Sequence, residues 1–165
     1  MERTQGATPE RPHVPWSYGI AQTLDGDPAA WRGIEDRLAG ARNYWIATAR
    51  PGGRPHAMPV WGVWLDGALY FGTDRQSRKG RNIAANAEIV AHLESGDDVV
   101  ILEGVAEEAS GAALLARYAD AYDAKYRFRP ATDDAATVTY ALRPRAAFTW
   151  RESDYPTSAT RWTFG

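Results

Sequence analysis

The residue pattern predicts a mainly β (α+β) chain, a small antiparallel barrel of about six strands with flanking helices. Three observations carry this. Short runs rich in aromatic and β-branched residues recur along the chain, bounded by Gly, Pro, Asn or Asp. Most neighbouring runs are joined by turns too short for a crossover helix, so neighbours pair antiparallel. Seven Trp and eight Tyr in 165 residues would leave a flat sheet with sticky edges, which closure removes.

Residues 1–26, punctuated by Pro9, Pro12, Pro15 and Gly26, read as a flexible N-terminal arm. Residues 27–165 then form a single domain, the most that this length comfortably supports. In "GDPAAWRGIEDRLAG", Asp27 is the expected N-cap, Pro28 the first helical residue, and Trp31, Ile34 and Leu38 one apolar stripe. "YWIATAR" (44–50), "PHAMPVWGVWL" (55–65) and "ALYFGTD" (68–74) form a meander, turning at "PGG" and at Asp66-Gly67. Pro59 assigns the middle strand to an edge or a bulge. "EIVAHLE" (88–94) and "DDVVILEGVAEEA" (97–109) are two further strands. The second has Val99, Ile101 and Val105 on one face and Val100, Leu102 and Ala106 on the other, which predicts burial on both. "SGAALLARYADAYDAKY" (110–126) is helical, with Ser110 as cap. "ATVTYALRPRAAFTWRE" (136–152) supplies the last strand or two, broken at Pro144, before an aromatic tail.

Composition excludes several functions. A net charge of −2 and a pI near 5.9 give no global positive field for nucleic acid. With no cysteine, and with His13, His56 and His92 lacking ligand spacing, no metal site is expected. No apolar run approaches a signal peptide or membrane span, so the expectation is a soluble, cytoplasmic protein that binds neither membrane nor nucleic acid.

The chemistry-bearing stretch is "GTDRQSRKGRN" (72–82). Ser77 can cap a short helix through "RKGRNIAAN", which puts the backbone N–H groups of Arg78, Lys79 and Gly80 at its open end. Arg78 and Lys79 then add positive charge to the positive end of the helix dipole, with no acidic residue four positions away. A bound anion, a phosphate above all, would supply the missing charge, with Gly80 keeping the approach clear. The other reading is a set of solvated cations on a surface turn.

The order "YWIATARPGGRPHAMPVWGVWLDGALYFGTDRQSRKGRNIAANAEIVAHLESGDDVVILEGVAEE" resembles the pyridoxamine 5′-phosphate oxidase-like family of flavin- and deazaflavin-binding proteins, over roughly residues 40–150. The resemblance implies a six-stranded antiparallel split β-barrel and a homodimer with cofactor at the subunit interface. It implies a phosphate held by Ser77, Arg78 and Lys79 with Thr73, Asn82 bracing the turn, and a cofactor ring lying along Met58, Pro59, Val60 and Trp61. The chain ends "SATRWTFG" where the oxidase proper has an arginine-leucine-histidine-aspartate-arginine signature, so oxidation of pyridoxamine phosphate itself is not expected. The family's arginine and lysine that bracket the second strand are also missing near Ala57 and Gly62.

The resemblance points to FMN or coenzyme F420. Arg54, Arg75 and Arg81 favour F420, whose acidic tail they could meet. The implied activity is hydride transfer to a small unsaturated or aromatic substrate. The alternatives are a carrier that holds the cofactor without turnover, and a structural dimer with a vestigial basic turn. Arg161-Trp162 either closes over the partner's site or packs as a terminus.

Overall fold

The computed structural model describes residues 6–24 and 26–165; the parts of the expected arm at residues 1–5 and residue 25 lie outside the described residues. In chain order the elements are β1 (Ala7–Glu10), α1 (Trp31–Gly40), β2 (Tyr44–Ala49), β3 (Pro55–Val60), β4 (Val63–Leu65), β5 (Ala68–Asp74) and α2 (Arg78–Ala85). They continue with β6 (Glu88–His92), β7 (Asp98–Glu108), α3 (Ala112–Tyr126), β8 (Thr137–Arg151), α4 (Tyr155–Ser158) and β9 (Thr160–Phe164). All pairings are antiparallel, in the order β1-β9-β8-β7-β6-β2-β3. β5 joins the N-terminal half of β8, and β4 pairs with β5.

The α+β class is as expected, but the described residues form nine strands rather than six, and their ladder does not close. Three local events account for the extra strands. The arm contributes β1, whose Ala7 pairs with Phe164 of β9, itself formed from the aromatic tail. The 55–65 run divides at Trp61-Gly62 into β3 and β4. β3 pairs only with β2 and β4 only with β5, so the ladder stops on either side of this bend. Pro59 therefore sits on an edge strand, where its missing N–H costs no ladder bond on the open side.

Pro144 does not break β8. It lies between the part of β8 paired to β5, ending at Leu142, and the part paired to β9, starting at Ala146. Its missing donor therefore falls where the strand changes partner. On the opposite side it faces Gly104, at a register shift. A Cβ on Gly104 would lie 2.5 Å from the Arg143 carbonyl oxygen, so the bulge requires glycine.

The core follows from alternation. Tyr44, Ile46 and Thr48 of β2 point inward with Leu69, Phe71, Val100, Leu102 and Leu142, and α1 covers them with Trp31, Ile34 and Leu38. Asp27 caps the turn leading into α1, accepting from the Ala29 N–H at 2.9 Å. A second cluster, with Val63, Tyr70, Tyr118 and Tyr126, lies under α3. That helix is capped at Gly111 rather than Ser110, with no side-chain cap. β7 is buried more fully on one face: Val100, Leu102 and Ala106 are buried, while on the other face Val99 is buried but Ile101 and Val105 are only half-buried. They share the outer face of the sheet with Trp45, Ala47, Ala49 and Val90, also half-buried. The tail packs: Trp162 is buried against Trp31, and its Nε1 donates to Thr149 Oγ1 at 2.8 Å.

Candidate functional site

β5 delivers the chain to the start of α2 through a tight turn in which the Ser77 N–H donates to the Asp74 carbonyl at 3.1 Å. Ser77 is the N-cap: its Oγ accepts from the Gly80 N–H at 2.9 Å and bonds Thr73 Oγ1 at 3.0 Å. The cap thus spends the Gly80 amide. The open backbone donors are those of Arg78 and Lys79, two rather than the expected three. Gly80 also has a different role from the expected one. A Cβ there would lie 2.4 Å from the Asp74 carbonyl oxygen and 2.9 Å from that of Arg75, so glycine lets the helix fold back on its own turn.

Lys79 is nine-tenths buried and has no hydrogen-bond or ion-pair partner among the described residues. Burial pulls its pKa below the ordinary lysine value. Asn82, fully buried, ties α2 to β2 by donating from Nδ2 to Thr48 Oγ1 at 2.9 Å, while its Oδ1 has no partner. Thr48 faces His56 across the β2–β3 ladder. The same side of the hairpin therefore brings His56 and Arg50 toward α2. His56 Nδ1 and Arg50 Nε are both buried atoms without a partner.

The electrostatics are one-sided. Desolvation first, then the charges of Arg50, Lys79 and Arg78, hold His56 below the usual imidazole value. Arg78 is pushed down chiefly by Arg81 and then by Arg50, with desolvation and Arg54 adding to it. Arg54, Arg78 and Arg81 are exposed, and none of the cations of this cluster forms an ion pair among the described residues. Arg75 leaves the group: it pairs with Glu108, its Nη1 donating to Oε2 at 3.1 Å, and its Nε donates to the Ala135 carbonyl. An arrangement of this kind, with open amides, a buried ammonium and unpartnered donors, accepts an anion with several oxygen acceptors.

Of the sequence-predicted residues, Thr73, Ser77, Arg78, Lys79 and Asn82 come together at the start of α2. Met58, Pro59, Val60 and Trp61 lie along β3 and the bend after it, with Met58 and Trp61 substantially exposed. Trp61 stacks on Tyr126 with ring centroids 4.7 Å apart, and the Arg42 guanidinium lies over the Trp61 ring, 5.3 Å from its centroid. The bend is fixed from α3: Tyr126 Oη accepts from the Gly62 N–H at 3.0 Å, and Lys125 donates to the Gly62 carbonyl at 3.0 Å and to Tyr44 Oη at 2.8 Å. Sequence reasoning missed Arg50, and read His56 as an ordinary polar strand-start residue in preference to a donor to a cofactor ring or substrate. The available signal was the pair of arginines flanking "PGG". His92, on the outer face, bonds the Leu93 carbonyl and stacks on Trp45. No cluster of metal-ligating side chains occurs among the described residues, and none of their helices is long and apolar enough to cross a membrane.

The sequence model described as pyridoxamine 5′-phosphate oxidase matches residues 31–151. A comparison with curated protein sequences finds no match. Among solved structures, a conserved hypothetical protein from Mycobacterium tuberculosis is similar, with 24% identity over 81% of this chain and 87% of that one and a TM-score of 0.64. General Stress Protein 26 from Bacillus anthracis has 23% identity over 70% of this chain and 92% of that one, at 0.56. These two show the shared fold. A protein titled F420 reductase has 27% identity over 68% of this chain and 94% of its own, with a TM-score of 0.53.

Proposed function

The chain belongs to the pyridoxamine 5′-phosphate oxidase family, and on that premise we propose that it is an oxidoreductase holding coenzyme F420 or FMN by its phosphate at the start of α2. The observation that carries this is Lys79, a buried ammonium without a partner beside two open helix amides. A buried cation is costly unless paired, and a phosphate pairs it. Arg78 and Lys79 would hold the phosphate, with the Thr73 and Ser77 hydroxyls beside them. Met58 to Trp61 would carry the ring. Asn82 holds α2 on β2 and touches no ligand in this scheme.

When bound, such a cofactor supplies a hydride for a small unsaturated or aromatic substrate. The residues of the chain bind, orient and exclude water. Trp61, pressed on Tyr126, offers a flat apolar wall for the ring. Coenzyme F420 is the preferred reading, because Arg54 and Arg81 exceed what a single phosphate neutralises, and because the F420 reductase shares this fold at 27% identity. The half-buried apolar outer face with Trp45, Val90, Ile101 and Val105 supports a homodimer. The setting proposed is cytoplasmic.

The visible absorption of the protein as purified, followed by fluorescence titration with F420 and with FMN, tests the cofactor. Saturable binding of F420 with weaker FMN binding is expected, and binding of neither would sink the proposal. Reoxidation of the reduced, bound cofactor by a panel of quinones, enones and nitroaromatics tests turnover. No acceleration with any of them would favour a carrier.

A further inference from the structure

We infer that Arg50, on the β2–β3 turn, is a direct ligand of the phosphate and closes the anion subsite opposite the amides of α2. This rests on the phosphate reading above and adds a residue outside the Ser77–Lys79 segment.

The geometry has three parts. Asn82 of α2 bonds Thr48 of β2 at 2.9 Å, so the side of β2 that carries Thr48 is the side facing α2. Arg50 stands two residues beyond Thr48, and His56 directly across from Thr48, so both extend this face, and the charges of Arg50, Arg78 and Lys79 all bear on His56. The turn is held in place: the Arg50 N–H donates to the Arg54 carbonyl at 2.9 Å and the Gly53 N–H to the Arg50 carbonyl at 2.8 Å. Gly52 and Gly53 take φ of +91° and +86°, which few other residues tolerate.

Chemistry then selects the occupant. A guanidinium cannot shed its charge and carries only donors, so a buried Nε–H without an acceptor is an open demand. The Lys79 ammonium, nine-tenths buried, makes the same demand, and so does His56 Nδ1 when protonated. Acidic side chains do not answer: Asp74 spends Oδ1 on the Gln76 N–H, and Glu88 pairs with Arg145. An anion with oxygens on several sides meets these donors together, with Arg50 approaching from the hairpin and Lys79 from the helix.

The test is a titration of the full-length, ¹⁵N-labelled protein with inorganic phosphate, followed at the Arg50 Nε–H and at the Arg78 and Lys79 amides. All are expected to shift along one saturation curve. Arg50→Gln should weaken binding by roughly tenfold or more, with partial recovery in Arg50→Lys. Shifts of the Arg78 and Lys79 amides with Arg50 Nε–H unmoved, or equal affinity in Arg50→Gln, would overturn the inference and leave the phosphate reading standing. Shifts at neither place would remove both. If Arg50→Gln fails to fold, the Arg50 resonance of the unaltered protein decides.

Discussion

Lys125 and Lys79 both press an ammonium group against the protein interior, and their surroundings differ completely. Lys125 donates to Tyr44 Oη and to the Gly62 carbonyl and lies 4.8 Å from the Tyr44 ring centroid. Lys79 reaches no acceptor among the described residues. Burial lowers the pKa of both, that of Lys125 to about 8. Burial with unequal partnering separates a cation that shapes the fold from one that waits for a ligand.

Lys79→Met should give the largest effect, a loss of about 2 kcal/mol in phosphate affinity by calorimetry, from one charge-assisted contact. Unchanged affinity would erase the distinction between the two lysines. Lys125→Met should lower stability by about 1–2 kcal/mol in urea unfolding, because Tyr44 Oη and the Gly62 carbonyl lose their donor. The same methionine at position 79 should leave ligand-free stability unchanged or raise it by up to about 1 kcal/mol, since an unpartnered buried charge is removed. A loss of stability there would mean that Lys79 is structural after all.

A smaller effect concerns pH. Above about pH 8 the folded chain has released the Lys125 proton that the unfolded chain keeps until near 10.5. The unfolded state then binds more protons, so stability rises with pH in this window. Above about 10 the buried Tyr44 and Tyr118, raised by desolvation, stay protonated longer in the folded state and reverse the trend. Lys125→Met should abolish the rise between pH 8 and 10 in thermal melts. The smallest effect is at His56, held low by desolvation and the neighbouring cations. A bound anion raises its pKa, so its contribution to phosphate affinity is present at low pH and fades as pH rises through the bound-state value. His56→Gln should flatten that part of the affinity profile.

What is legible in the sequence follows the range of the interactions. Ser77 is readable as a cap because its hydrogen bond spans three residues. β2, β5, β6 and β7 are readable because each is one unbroken apolar run bounded by turn residues. β1 and β9 are not: β1 is an edge that pairs only with β9, β9 is held between β1 and β8 from opposite ends of the chain, and Pro9 and Pro156 give those stretches the look of irregular chain. The same limit applies to charge. Arg75 and Arg78 look equivalent in "DRQSRK", yet Arg75 is claimed by Glu108, a partner remote in sequence. Arg50 reaches α2 only through the hairpin register that sets Thr48 beside His56.

The bend at Trp61-Gly62 is buttressed by Tyr126 and Lys125 of α3, whereas α2 is secured by Thr73 at its cap and by Thr48 of β2. The wall along which a ring would lie and the grip on an anion are thus bolted to separate parts of the scaffold. Exchanging the aromatic side chains of α3 would recontour the wall while the grip stays put, which makes α3 the natural cassette for redirecting substrate choice in a designed library.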